Sequence, residues 1–257
     1  MPRHLNSKSN HFHRVFWPAA ALAAVMLAAP TSMAETVRPF DEARKDPSFL
    51  AFRKALLSAL KRGDYAAVAR AAAPNIRLGF GGNNGRAQFR RLLAGDRKMH
   101  GKQAAKLAAE YRGWLKWVLL NGGGLSKNRR NFIAPYQNAY EWRTPSCSRK
   151  PRPRSRVCAI DPFARAYVIG RGIPIYARPT AQSKVVMRLS HRLIELDRHV
   201  TRKLKDGREV RRWSRVKLAD GQRGWIRPIQ YYSAVGYRLR AVKLGGRWRI
   251  ASFLAGD

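Results

Sequence analysis

Carboxylates are what this sequence lacks most. Fifteen Asp and Glu stand against 52 Lys and Arg in 257 residues, for a formal net charge of +37 at pH 7. Such a chain repels itself and attracts polyanions. Thiols are rarer still: only Cys147 and Cys158 occur, with ten residues between them. No His or Cys stands at ligand spacing to either one, and no H-E-x-x-H occurs, so no metal centre and no cofactor is expected. Beyond residue 34 the histidines are His100, His191 and His199, scattered along the chain. No later segment approaches the roughly 20 apolar residues that a spanning helix needs, so a chain that does not span a membrane is expected. The glycine-rich turn Gly81 to Gly85 lacks the Gly-Lys-Ser/Thr that makes a phosphate loop specific. With hydrophobic residues at 45%, the chain can nevertheless bury a core and is no disordered basic tail.

The first 34 residues read as a secretory leader. Arg3, Lys8 and Arg14 precede an apolar run from Val15 to Ala29, and Ser32-Met33-Ala34 supplies the small residues of a cleavage site. The run is interrupted by Pro18 and is too short for an anchor. A periplasmic or secreted protein is therefore expected, with its charge retained, because the leader holds only three of the basic residues. Composition alone would nominate nucleic acid, but export makes that partner unlikely and leaves anionic envelope components in its place. In an exported chain the even pair Cys147 and Cys158 reads as a disulfide.

Along the remaining chain, Asp46-Pro47 followed by Phe49, Phe52, Leu56, Leu57 and Leu60 predicts a helix over 47–62, stopped by Gly63. Asp64 caps a second short helix that Pro74 ends, and Ile76 to Phe80 alternates like a strand. A third short helix is expected from Arg86 to Leu93. A fourth, over 102–120, carries the stripe Leu107, Tyr111, Trp114, Leu115 and Val118, read as core, and Gly122-Gly123-Gly124 ends it. Residues 35–140 thus form an N-terminal α+β domain. Residues 141–163 follow as a basic disulfide loop holding Arg149, Lys150, Arg152, Arg154 and Arg156. It reads first as a solvated linker and second as a cationic finger for phosphate or carboxylate.

From Ala164 to Ile229 short apolar runs alternate with turn signals, which predicts a small barrel or sandwich. The order Ile173-Pro174-Ile175-Tyr176-Ala177-Arg178-Pro179, Val185 to Leu189, Trp213 to Leu218, Asp220-Gly221 and Gly224-Trp225-Ile226 resembles a bacterial SH3 (SH3b) domain over 164–230. It departs from that pattern at Pro174, at Tyr176 and in the long basic hairpin before Trp213. The last segment, 231–257, holds a hairpin with a Gly245-Gly246 turn. With the early helices and strand it is similar to a SnoaL-like cone, the barrel being inserted. The fold class expected is α+β, a cone completed by the C-terminal hairpin together with a small SH3-like β-barrel. The whole layout resembles exported SH3 domain-containing proteins of alphaproteobacterial type.

That resemblance implies a non-catalytic binding protein for peptide or for a cell-wall polymer such as peptidoglycan. Tyr176, Arg178, Trp213 and Trp225 are the ligand-binding candidates, set against the plainer reading that these aromatics are barrel core. Glu42, Glu110, Glu141, Asp161 and Asp220 could in principle pair as acid and base, but no nucleophile and base set is recognisable and no enzyme is expected. The other reading of function is a structural or inhibitory module that binds a protein partner through residues 35–140.

Overall fold

The computed structural model describes residues 35–82, 84–144, 156–205, 207–218 and 220–256. The leader, Cys147, Arg149, Lys150, Arg152 and Arg154 lie outside them.

The first half is helical with short strands: α1 (Pro47–Arg62), α2 (Tyr65–Arg70), β1 (Ala72–Arg77), α3 (Arg86–Ala94), α4 (Arg97–His100), α5 (Ala104–Leu120), β2 (Gly124–Leu125), β3 (Asn131–Ala134) and α6 (Tyr136–Arg143). The second half begins with α7 (Arg156–Ala159) and is otherwise strands: β4 (Arg165–Val168), β5 (Ile173–Tyr176), β6 (Val185–Leu189), β7 (Leu193–Lys203), β8 (Glu209–Lys217), β9 (Arg223–Ile226), β10 (Tyr231–Ser233), β11 (Arg238–Leu244) and β12 (Arg247–Leu254). The fold is α+β.

Helix α1 starts where its cap dictates. The Asp46 carboxylate accepts the Phe49 N–H at 3.0 Å, Pro47 occupies the first helical position, and Gly63 ends the helix in the left-handed region. Strand β1 begins four residues before the alternating stretch that predicts it, and it runs through Pro74. The proline is tolerated because β1 lies at a sheet edge and pairs only with β12, so its missing N–H breaks no inner ladder.

Two sheets result. The first has the order β1-β12-β11-β3-β2, with β1 parallel to β12 and the other pairs antiparallel. The C-terminal hairpin therefore forms the centre of the sheet that the N-terminal helices cover. Phe49 from α1 stacks on Phe132 of β3 at 3.9 Å and meets Trp248 of β12 edge-on at 5.0 Å. Leu93, Leu115 and Val118 bring α3 and α5 into the same core. The second sheet, β10-β4-β7-β8-β9-β5-β6, is antiparallel throughout and encloses its own core of Val168, Ile175, Ile194, Val216 and Ile226.

A third cluster, including Val37, Tyr136, Val157, Tyr167, Leu193 and Tyr232, packs the second sheet against α5 and α6. Tyr232 stacks on Trp117 at 5.3 Å and donates to Asn138 Oδ1 at 2.6 Å. The described residues all fall in one compact unit.

The expected SH3-like barrel over 164–230 needs correction. Its strand runs are present, but they belong to a seven-stranded sheet in linear order that recruits β10 from beyond residue 230. Among the described residues no ladder joins β6 to β10. Alternation locates strands but does not name their partners; the long basic hairpin before Trp213 consists of β7 and β8, which pair along it as a largely exposed two-stranded ribbon. Of the expected disulfide, Cys158 lies in α7 and is not a free thiol, and Cys147 lies outside the described residues.

Candidate binding surface

Cross-strand pairing brings three of the four ligand-binding candidates together. In register, Tyr176 of β5 faces Trp225 of β9, and Trp225 faces Arg215 of β8. Opposed residues share a sheet face, and Trp213, two residues from Arg215, shares it too. That face is the outer one, since Ile175, Val216 and Ile226 alternate inward to the core.

The aromatics divide between packing and exposure. Trp213 is only 8% exposed, while Tyr176 and Trp225 are half-buried. Tyr176 meets Trp213 edge-on at 5.5 Å, and the Arg227 guanidinium lies 5.4 Å from the centre of the Trp213 ring. Trp213 is thus the floor of the ledge and its two neighbours are the accessible faces. Gly224 allows the strands to approach, since a Cβ there would come within 2.4 Å of Ile175 Cγ2.

Arg178 does not join this group. It is exposed in the turn beyond β5, where its N–H donates to Ser183 Oγ at 2.9 Å. Arg156 opens α7, and the four remaining anion-binding candidates lie outside the described residues.

Ion pairs fix the charge on the same face. Arg215 grips Asp197 with two hydrogen bonds of 2.8 and 3.1 Å, and Arg223 approaches the same carboxylate at 3.7 Å. The Arg215 hydrogen bonds outweigh burial and hold the Asp197 carboxyl below its ordinary range. One aspartate thereby orients two arginines and leaves the surface cationic.

A cleft of about 910 Å³ lies between the segment before α1, the β2–β3 turn and α6. Among the described residues, Lys45, Lys127, Arg129 and Arg143 make it cationic, and Trp142, 50% exposed, supplies an apolar wall. Glu42 is the carboxylate on its lining. Burial would raise the Glu42 pKa, but hydrogen bonds from Arg143, Lys45 and the Leu125 N–H overcome it and hold the group at about 2, against an ordinary 4.5. A depressed carboxyl stabilises the fold above its unfolded pKa, and that contribution fades as pH falls through the folded value. Glu42→Gln is therefore expected to flatten the loss of melting temperature between about pH 4.5 and about 2, as read by circular dichroism. An unchanged slope would mean that Glu42 carries none of the acid sensitivity.

Of the other carboxylates considered as acid and base, Asp161 and Asp220 accept the N–H groups of Phe163 and Gln222 at 2.8 and 2.9 Å, and Glu110 and Glu141 engage cations. Glu110 lies 3.9 Å from Arg208, and Glu141 lies 3.4 Å from Arg165 while accepting from the Tyr167 hydroxyl. His199 Nδ1 lies 2.9 Å from Ser214 Oγ, which lies 2.7 Å from the Tyr231 hydroxyl. Ser214 is fully buried, so this chain of hydroxyls and imidazole serves the sheet interior. Among the described residues no group of three His, Cys, Asp or Glu could hold a metal ion. No described helix is long and apolar enough to cross a membrane.

Sequence reasoning missed the cleft and Arg227. Arg227 follows directly on the closing Trp225-Ile226 run, but only the pairing of β8 with β9 sets it over Trp213.

No family model matches the chain, and no curated protein matches it. Two solved structures are similar over 83% of its length. One is an NTF-2 like protein of unknown function from Shewanella oneidensis MR-1, at 12% identity over 99% of that chain with a TM-score of 0.25. The other is an NTF2-like protein with a cystatin-like fold from Novosphingobium aromaticivorans, at 10% identity over 80% of that chain with a TM-score of 0.26. At such TM-scores neither likeness carries an argument. The SH3b resemblance, and with it the likeness to exported SH3 domain-containing proteins, is overturned: no family model matches the chain, and the strands concerned belong to a seven-stranded sheet in linear order.

Proposed function

We propose that this protein is an exported, non-catalytic binding protein whose aromatic and cationic sheet face holds an anionic cell-envelope polymer, peptidoglycan being the first candidate. The observation that carries the reading is the row Tyr176, Trp225 and Arg215 across three paired strands, floored by Trp213 and flanked by Arg227. Flat rings offer apolar stacking faces, and guanidinium groups offer bidentate hydrogen bonds to carboxylate or phosphate. The large positive charge, of which the leader holds only three basic residues, adds long-range attraction to any such polymer. The leader-like first 34 residues support a periplasmic or secreted setting. We read the helix-backed first sheet as a cone-shaped NTF2-like layer. The support is its order, with a parallel edge strand, a central C-terminal hairpin and a register shift at Arg240/Ala241 that bends β11.

Co-sedimentation with purified sacculi across a salt series tests this function. Exposed charge attraction is screened within about 8 Å at physiological ionic strength and more strongly above it. Binding is expected to persist at about three times physiological salt. The double variant Tyr176→Ala, Trp225→Ala is expected to lose roughly tenfold in affinity there, or about 1.4 kcal/mol, while keeping its low-salt attraction. Complete loss of native binding as salt rises would reduce the interaction to non-specific charge and defeat the proposal.

A further inference from the structure

The cationic cleft between the segment before α1, the β2–β3 turn and α6 plays no part in the sheet-face reading. At about 910 Å³ it has the volume of a small-molecule site. Its floor is a fixed network. The Glu42 carboxylate holds Arg143, holds Lys45 at 2.8 Å and accepts the Leu125 N–H at 3.0 Å, while Arg143 also donates to Leu125 O at 3.0 Å. The Arg143 guanidinium lies 5.1 Å from the centre of the Phe40 ring, which packs it from a further side. One carboxylate thus meets two cations, and one positive charge of the floor stays uncompensated.

The β2–β3 turn supplies the rest of the charge. The Arg129 N–H donates to Ser126 O at 2.9 Å, Ser126 Oγ donates to Asn128 Oδ1 at 2.6 Å, and the Asn131 N–H donates to Ser126 Oγ at 3.0 Å. Asn131 Oδ1 in turn accepts from Arg240 at 3.0 Å. The uncharged polar side chains of the lining are therefore engaged in holding the turn. Lys127 and Arg129 on that turn are exposed, and neither meets a carboxylate among the described residues. Arg129 also has a left-handed φ of +51°, which asparagine or glycine adopts at less cost, so an arginine stands there against its own backbone preference.

Two features select the occupant. Lys45, Lys127, Arg129 and Arg143 against Glu42 leave the lining a surplus of three positive charges. A phosphate monoester, with a charge of about −1.5 to −2 near neutral pH and three acceptor oxygens, answers that surplus better than a single carboxylate does. The indole of Trp142, 50% exposed on the same lining, offers an apolar face that a flat ring would cover.

We propose that this cleft binds a small phosphate monoester of a flat aromatic ring, the phosphate held by Lys127, Arg129 and Arg143 and the ring laid on Trp142. The site is separate from the aromatic ledge and does not depend on the polymer reading.

Calorimetric titration of the full chain with 1-naphthyl phosphate at physiological salt tests the assignment. Saturable one-to-one binding is expected, about tenfold or more tighter than for inorganic phosphate, which lacks the ring, or for 1-naphthol, which lacks the charge. The double variant Lys127→Gln, Arg129→Asn removes both exposed charges, and asparagine suits the left-handed backbone at 129. Its melting temperature should hold while affinity for the ester falls roughly tenfold. Trp142→Ala should bring the ester down to the affinity of inorganic phosphate, whereas Tyr176→Ala, Trp225→Ala on the ledge should bind as the native chain does. Absence of saturable one-to-one binding would overturn the proposal. So would inorganic phosphate or 1-naphthol binding as tightly as the ester, undiminished binding by either cleft variant, or an equal loss in the ledge variant.

Discussion

Phe49→Ala is expected to destabilise the protein by about 3–5 kcal/mol, the range for truncating a buried aromatic without collapse of the cavity. Phe49 has no exposed surface, stacks on Phe132 at 3.9 Å, and touches Trp248 at 5.0 Å and Phe52 at 6.0 Å. Those partners come from α1, β3 and β12, so the space left is walled by three elements that cannot all close in. The denaturation midpoint should fall with little change in slope. Ile229→Ala is the control, since Ile229 is 86% exposed and its loss should cost no more than about 0.5 kcal/mol. Equal effects would mean that the aromatic stack does not anchor the helical layer.

The second large effect is expected at Gly122. Its φ is +66°, and a Cβ there would stand 2.2 Å from the Phe40 carbonyl oxygen, a backbone atom that cannot rotate away. Gly122→Ala combines left-handed strain with overpacking, and a loss of roughly 2–6 kcal/mol follows from the two together. The neighbouring Gly123 N–H donates to that same Phe40 carbonyl at 3.1 Å, and the Glu42 N–H donates to Gly123 O at 3.0 Å. The substitution should therefore also release the segment around Phe40 to Glu42, visible as faster amide exchange there. Gly81→Ala, with nothing within 4 Å of its Cβ, should leave both readings close to native. Unchanged exchange in Gly122→Ala would show that the triplet only ends α5 and does not dock the chain before α1.

That triplet shows how local signals understate tertiary roles. Read locally, Gly122-Gly123-Gly124 is a helix stop. In the fold, a Cβ at Gly123 would meet Ile133 O at 2.3 Å, and one at Gly124 would meet the Arg143 guanidinium at 2.6 Å. Backbone oxygens thus require glycine at 122 and 123, whereas at 124 the Arg143 side chain could move aside. The basic hairpin before Trp213 was legible as a hairpin, but the extent of its strands was not. It lacks an apolar alternation because the outer part of the β7–β8 ribbon has no buried face, so the signal that marks a strand is absent from strands that do exist. The ledge was partly legible. Tyr176, Trp213 and Trp225 stand in strand-like runs, but their common face depends on β9 lying between β5 and β8, which no run of sequence states.

Elements governed by neighbours in the chain were determined by the sequence itself. The Asp46-Pro47 start and Gly63 end of α1 are examples, as are the Gly245-Gly246 turn, whose two residues have φ of +52° and +75°, and the short strands between 165 and 226. Caps, turns and alternation act over a few residues, and their chemistry is written where they act. Pairings across the whole chain were decided only by the tertiary structure: β12 beside β1, β11 beside β3, and β10 beside β4. So was the exposure of Trp114: it stands in the α5 stripe with Leu115 and Val118, yet it is 43% exposed where they are fully buried. Burial and strand partnership are properties of what arrives from elsewhere in the chain, and here the last strand of the sequence supplies the partner of the first.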